Sequence, residues 1–166
     1  MSLYAIDKLI NETRRLAAEF KRTTGTMLPV SGEIARYDVS RCLDLTLSDD
    51  HSCGYDAIGK NLRDGLRVQI KSRVIGDAVK SGHRVGQLNP NGSWDIVILS
   101  LMNDEFEAIE MYQLSRSEII GELSKSNKKQ NTISVAKFKI ISELVWTKEH
   151  GAIDTHQYKI ATSGYL

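Results

Sequence analysis

The stretch that most restricts the fold is Trp94-Asp-Ile-Val-Ile-Leu-Ser-Leu101, whose part from Ile96 to Leu101 is nearly all apolar. It is far shorter than the roughly 18 to 20 residues that span a bilayer, and its length suits a strand. A strand without polar alternation is buried on both faces and needs a covering layer on each side. Amphipathic helices provide such layers, so the expected class is α/β, a central mixed β-sheet flanked by helices. A chain of 166 residues fits one domain, residues 1–166, burying about two-thirds of the surface its unfolded form exposes.

The flanking elements follow from period and punctuation. Leu3, Ile6, Leu9, Ile10, Leu16, Ala17 and Phe20 recur at helical spacing with charges between them, predicting an opening helix that stops before Gly25. Pro29 is expected to restart the chain in an extended path, and Ser31 to cap a second helix that buries Ile34, Val39, Cys42 and Leu43. Gly54 opens a short strand through Tyr55 to Ile58, and Leu66 to Val74 alternates as its hairpin partner. Gly76 to Ser93 carries turn residues without a clear period. After the apolar strand, Glu107 to Leu114 returns as another, and Ser115 with Glu118 forms a capping box for a helix ending near Leu123. Lys125 to Asn131 reads as a loop, Ser134 as the cap of a short helix to Ile141, and Tyr158 to Ala161 as a final strand-like piece.

Composition narrows the setting. Charged residues make up 26% and hydrophobic ones 41%, ordinary for a globular chain and unlike a disordered one. Charges at Asp7, Lys8, Glu12, Arg14 and Arg15 interrupt the opening segment, so it lacks the core of a signal peptide. Cys42 and Cys53 are too few for a disulfide framework. Together these predict a cytoplasmic protein with no membrane partner. Cys42, His51 and Cys53 lack the paired spacing of a zinc site, and no phosphate-binding glycine loop or Gly-x-Ser-x-Gly elbow is present. The net charge of +1 gives no sign by itself of a strongly basic nucleic-acid binder.

The informative chemistry lies in the hairpin. Residues two apart on a strand share a face, so Gln69 and Lys71 point together while Val68 and Ile70 point the other way. Asp56 on the preceding strand meets them. Its carboxylate, the Gln69 side-chain oxygen and the Ile70 main-chain carbonyl are hard donors suited to Mg²⁺, with Mn²⁺ as a substitute. Gln69 is neutral, so Glu33 on the second helix is the candidate for the further carboxylate. Lys71 would stand beside water retained by the ion and orient it, help deprotonate it, or stabilise charge on phosphorus oxygens. The same residues also fit a solvated strand face, and Glu33 also fits a helix-dipole role.

Asp56, a gap, then Gln69-x-Lys71 resembles the signature of the PD-(D/E)xK nucleases, the restriction-endonuclease-like superfamily, with glutamine at the second acidic position as in its Mrr-like branch. Glu33 matches a glutamate that many members carry on an early helix. Tyr55 stands where the motif's proline would be. The resemblance covers roughly Ser31 to the helix after Ser115. It implies a restriction-endonuclease-like sheet, a metal site where the hairpin strands diverge, and Mg²⁺-dependent hydrolysis of phosphodiester bonds, with Glu33, Asp56, Gln69 and Lys71 as the catalytic set.

Arg73 shares the predicted face of Lys71 and Arg84 lies beyond it, making both candidates for holding phosphate. Lys128, Lys129 and Lys137 belong to a basic stretch from Lys125 to Lys139 that fits either a DNA contact or a solubilising loop. Asp104, Glu105, Glu107 and Glu110 are expected on a face turned away from DNA. The expected function is a restriction or defence-type DNA endonuclease. With one active site per chain, cutting both strands calls for a homodimer. The alternative is a nucleic-acid-binding or interaction module on the same fold whose chemistry was lost through Gln69.

Overall fold

The computed structural model describes residues 3–76, 82–125 and 131–154, which excludes Lys128, Lys129 and the strand expected around Tyr158 to Ala161. In chain order the elements are α1 (Leu3–Thr24), α2 (Ser31–Cys42), β1 (Leu45–Leu47), β2 (Ala57–Gly59), a 3₁₀ turn (Asn61–Arg63), β3 (Arg67–Val74), β4 (Arg84–Val85), β5 (Ile96–Met102), β6 (Ala108–Ser115), α3 (Arg116–Ser124), β7 (Ile133–Ser134), α4 (Val135–Ile141), β8 (Glu143–Thr147) and β9 (Gly151–Ala152). Seven strands form one mixed sheet in the order β1-β2-β3-β5-β6-β8-β9, and β4 pairs with β7 in a separate two-stranded piece. Only β3 and β5 run parallel among these pairs.

The apolar run becomes β5, buried at every residue. Its side chains divide between two cores. Ile96, Ile98 and Met102 join Ala17, Ala18, Ile34, Ala35 and Val39 from α1 and α2. Val97, Leu99 and Leu101 join Ile119 of α3 and Phe138 of α4 on the other side. Each fully buried large aliphatic side chain in such layers is worth about 1.5 to 3 kcal/mol relative to exposure. The fold is therefore mixed α/β with helices on both sides of the sheet. Among the described residues no helix is long and apolar enough to cross a membrane.

β3 alternates buried and half-buried residues without a break, Val68, Ile70, Ser72 and Val74 facing α2 and Gln69, Lys71 and Arg73 facing away. Its parallel register sets Gln69 beside Val97 and Lys71 beside Leu99, on the side of the α3 and α4 core. The β2 to β3 turn needs its glycines: Gly65 has φ +73°, and a Cβ on Gly59 would meet the Arg63 carbonyl oxygen at 2.1 Å. Just after that turn Arg67 forks onto Asp95, with Nε to Oδ2 at 3.0 Å and Nη2 to Oδ1 at 2.8 Å, fixing the starts of β3 and β5 together. The helix layer is tied by a second fork, Arg14 on Asp38 at 3.0 and 2.8 Å.

The capping box at Ser115 and Glu118 is present in full, and the Ser134 side chain accepts a hydrogen bond from the Lys137 amide. Other expectations are corrected. Ser31 is not a cap: α2 starts from Val30, whose carbonyl accepts the Ile34 amide at 3.1 Å, and Ser31 is its first full turn residue. Pro29 lies in the turn leading into α2 rather than in an extended path. The strand expected from Tyr55 begins only at Ala57, because Asp56 turns its side chain onto the neighbouring strand. The segment after Ile141 folds back as β8 along β6, and β9 then pairs with β8.

Candidate functional site

β2 is only three residues long, whereas β3 continues well past their last paired position, Ala57 opposite Val68. The two strands part at Asp56. Its amide still donates to the Val68 carbonyl at 2.8 Å, and its Oδ2 accepts the Ile70 amide at 2.7 Å, so the carboxylate itself caps the edge of β3 where β2 ends. In an extended strand one residue's N–H and C=O leave by the same edge, so the Ile70 carbonyl also faces the Asp56 side.

Gln69 lies opposite Asp56 in the continued register, and its Oε1 is buried without a hydrogen-bond donor among the described residues. Orphaned buried acceptors are rare and point to strain or to a group that the site is built to hold. Lys71 follows on the same face, half-buried. Burial pushes its ammonium below the ordinary lysine range, the Asp56 carboxylate opposes that, and Arg73 adds to it. Asp56, Gln69 and Lys71 thus form one group, with the Ile70 backbone on the same edge.

Glu33 joins this group through Arg36, a residue the sequence reading did not single out. Arg36 Nη1 donates to Asp56 Oδ1 at 2.9 Å, and Arg36 Nε stands 3.9 Å from Glu33 Oε2. Its Nη2 donates to the Ser48 carbonyl at 3.3 Å, and His51 Nδ1 is 3.4 Å from Nη1. Arg36 is largely buried while Glu33 is 72% exposed, so the guanidinium sits inside the group and Glu33 at its rim. The signal was the three-residue spacing from Glu33 to Arg36, which puts both on one helix face. Among the described residues no three His, Cys, Asp or Glu side chains converge as a metal cluster. The donor set for an ion here is instead Asp56, the Gln69 oxygen and the Ile70 carbonyl, with Glu33 available from the rim. The buried, unpartnered Gln69 oxygen fits that set.

The candidate phosphate contacts are engaged elsewhere. Arg73 Nε donates to the Arg84 carbonyl at 2.5 Å and Nη1 to the Ser72 carbonyl at 2.6 Å. Arg84 Nε donates to Thr132 Oγ1 at 2.7 Å, so the two arginines clip β4 and β7 onto β3. Lys137 stands 3.8 Å from Glu122. The expected separation of charge is not what the structure has: Lys139 pairs with Glu110 at 3.0 Å, Lys148 with Glu107 at 2.6 Å, and Lys21 and Arg22 reach Asp104 and Glu105. Opposite charges brought close by the fold neutralise one another locally, which the linear spacing of the two runs did not reveal.

Two further features set the limits of the chemistry. Cys42 is pushed up to about 11 by burial and the nearby Asp38 carboxylate, which keeps it a thiol rather than a nucleophilic thiolate. A groove of about 1060 Å³ lies between β6, β8 and β9 around Ile109, Leu144 and Ile153, and Asp56, Gln69 and Lys71 do not line it.

No protein-family model matches this chain, and no curated protein matches it in sequence.

Proposed function

We propose that this chain is a Mg²⁺-dependent DNA endonuclease of restriction or defence type, built on a restriction-endonuclease-like fold and acting in the cytoplasm as a homodimer. The observation that carries the reading is the buried Gln69 oxygen without a donor, on the strand edge that Asp56 caps and two residues before a half-buried lysine. A helix bearing Glu33 ahead of an antiparallel hairpin, followed by a parallel crossover to a buried strand, supports the same reading.

When bound, the divalent ion supplies Lewis-acid stabilisation of the phosphoryl oxygens and lowers the pKa of attacking water. Asp56, Gln69 and the Ile70 carbonyl are the groups that would hold it, with Glu33 closing from the rim. Lys71 keeps a donor beside the reacting phosphate, and its burial makes proton exchange with water easier than for an exposed lysine. Glu33, Asp56, Arg36 and Lys71 together carry no net charge. A divalent ion is therefore best balanced there when the anionic phosphodiester arrives with it, and Arg36, displaced from Asp56, is placed to meet that phosphate.

A second reading, a nucleic-acid-binding or interaction module without chemistry, draws on Arg36 seated on Asp56, which already neutralises the principal ligand. Incubation with supercoiled plasmid separates the two. The endonuclease reading predicts nicked or linear DNA with Mg²⁺ or Mn²⁺, none with chelator, and none from Asp56→Asn or Lys71→Met. DNA retained in a gel shift but uncut in every metal overturns it in favour of the module.

A further inference from the structure

The long helix α1 has two apolar sides. One carries Ala17 and Ala18 into the core. The other carries Ile6, Leu9, Leu16 and Phe20, which are 37%, 59%, 59% and 37% exposed. With Thr13 between them these residues are spaced three, four, three and four apart, the repeat by which one helix packs along another. Thr13 is compatible with burial in such a seam, because its hydroxyl already donates to the Leu9 carbonyl at 2.8 Å. A helix of this length presents the stripe over about 30 Å, at 1.5 Å per residue.

We propose that this seam is the self-association face of the protein, and that a second copy of α1 packs on it antiparallel about a two-fold axis near Thr13. The spacing calls for a helix as occupant. The flanking charges identify it as the same helix. Along one side of the seam run the exposed residues Lys8, Glu12, Arg15 and Glu19, alternating in sign. Reversed about the centre of α1, Lys8 faces Glu19 of the second copy and Glu12 faces its Arg15. Within one residue of the same centre, Ile6 faces Phe20 and Leu9 faces Leu16, so the seam matches itself in size as well as charge. A parallel two-fold arrangement lacks this match, because it puts the Lys8 to Glu19 flanks of the two copies on opposite sides of the seam. An isologous contact of this kind closes at two copies. One helix stripe is at the small end of specific interfaces, so association on the order of micromolar strength is expected. The face is independent of the chemistry proposed at Asp56.

Sedimentation velocity on the full chain from about 1 to 200 μM tests it. A concentration-dependent dimer is expected, and Leu9→Lys with Leu16→Lys should weaken it at least a hundred-fold while the melting temperature holds. A cysteine pair tests the direction even if that variant folds poorly. Ile6→Cys together with Phe20→Cys should give a covalent dimer on mild oxidation. Either substitution alone should not, because its two copies then lie about 20 Å apart along antiparallel helices, from fourteen residues at 1.5 Å each. A monomer at every concentration, a dimer indifferent to the lysine substitutions, or cross-linking by a single cysteine variant would overturn the proposal.

Discussion

Replacing Gln69 by methionine separates a site residue from an ordinary strand residue, because the two roles predict opposite effects on stability. The Gln69 oxygen is buried and accepts no hydrogen bond from the described residues. A buried polar group without a partner costs about 1 to 3 kcal/mol, and methionine keeps the length of the stem while removing that group. Gln69→Met should therefore stabilise the protein measured in chelator by about 1 to 2 kcal/mol. For a chain of this size each kcal/mol moves the melting temperature by roughly 2 to 4 °C, so a rise of about 2 to 8 °C is expected. The same substitution removes a ligand oxygen and should lower Mg²⁺-dependent cleavage at least ten-fold. Calorimetric melting in chelator together with plasmid cleavage in Mg²⁺ reads both effects. A variant that melts lower than the parent, or that cuts DNA at the parent's rate, refutes the role assigned to this oxygen.

Two further outcomes test the framework that holds the site. The Asp95 carboxyl is held down to about 2 by hydrogen bonds from the Arg67 guanidinium and, against the opposing effect of burial, from the Arg67 amide. Because its folded value is depressed, its stabilisation is present above the ordinary value of 3.8 and is lost as pH falls toward about 2. The group is partly exposed, so solvent screening reduces the effect to about 1 kcal/mol. Asp95→Asn should lower the urea midpoint at pH 7 and flatten its fall between pH 4 and pH 2, at roughly the pH range that linkage assigns; an unchanged acid profile contradicts it. Ser115→Ala removes the hydroxyl half of the α3 capping box and should cost about 1 kcal/mol in chemical denaturation with cleavage unaffected.

The parts of the molecule legible in the sequence are those whose signal is local. The apolar run from Ile96 can only be satisfied between two layers, and it is. Alternation from Arg67 to Val74 placed Gln69, Lys71 and Arg73 on one face, and the two serine caps marked the starts of α3 and α4. Strands of two or three residues, such as β1, β4, β7 and β9, hold too few positions for a period to show; their pairing is decided by what the fold sets beside them. β8 follows α4 with Ser142 alone between them, so helix and strand patterns run together. In the candidate site, the hairpin residues were legible because strand geometry fixes their relative directions. Arg36 was not, since its bond to Asp56 depends on how α2 lies across the sheet. The pairing of Lys139 with Glu110 escaped for the same reason, being a contact between elements far apart in the chain.

The central claim is that the edge of β3 capped by Asp56 holds a divalent ion. Titration calorimetry with Mn²⁺ on the parent chain and on Asp56→Asn tests it most directly. A single site in the parent, weakened at least ten-fold by the loss of the carboxylate, is the predicted result. Equal Mn²⁺ affinity in the two proteins would contradict it.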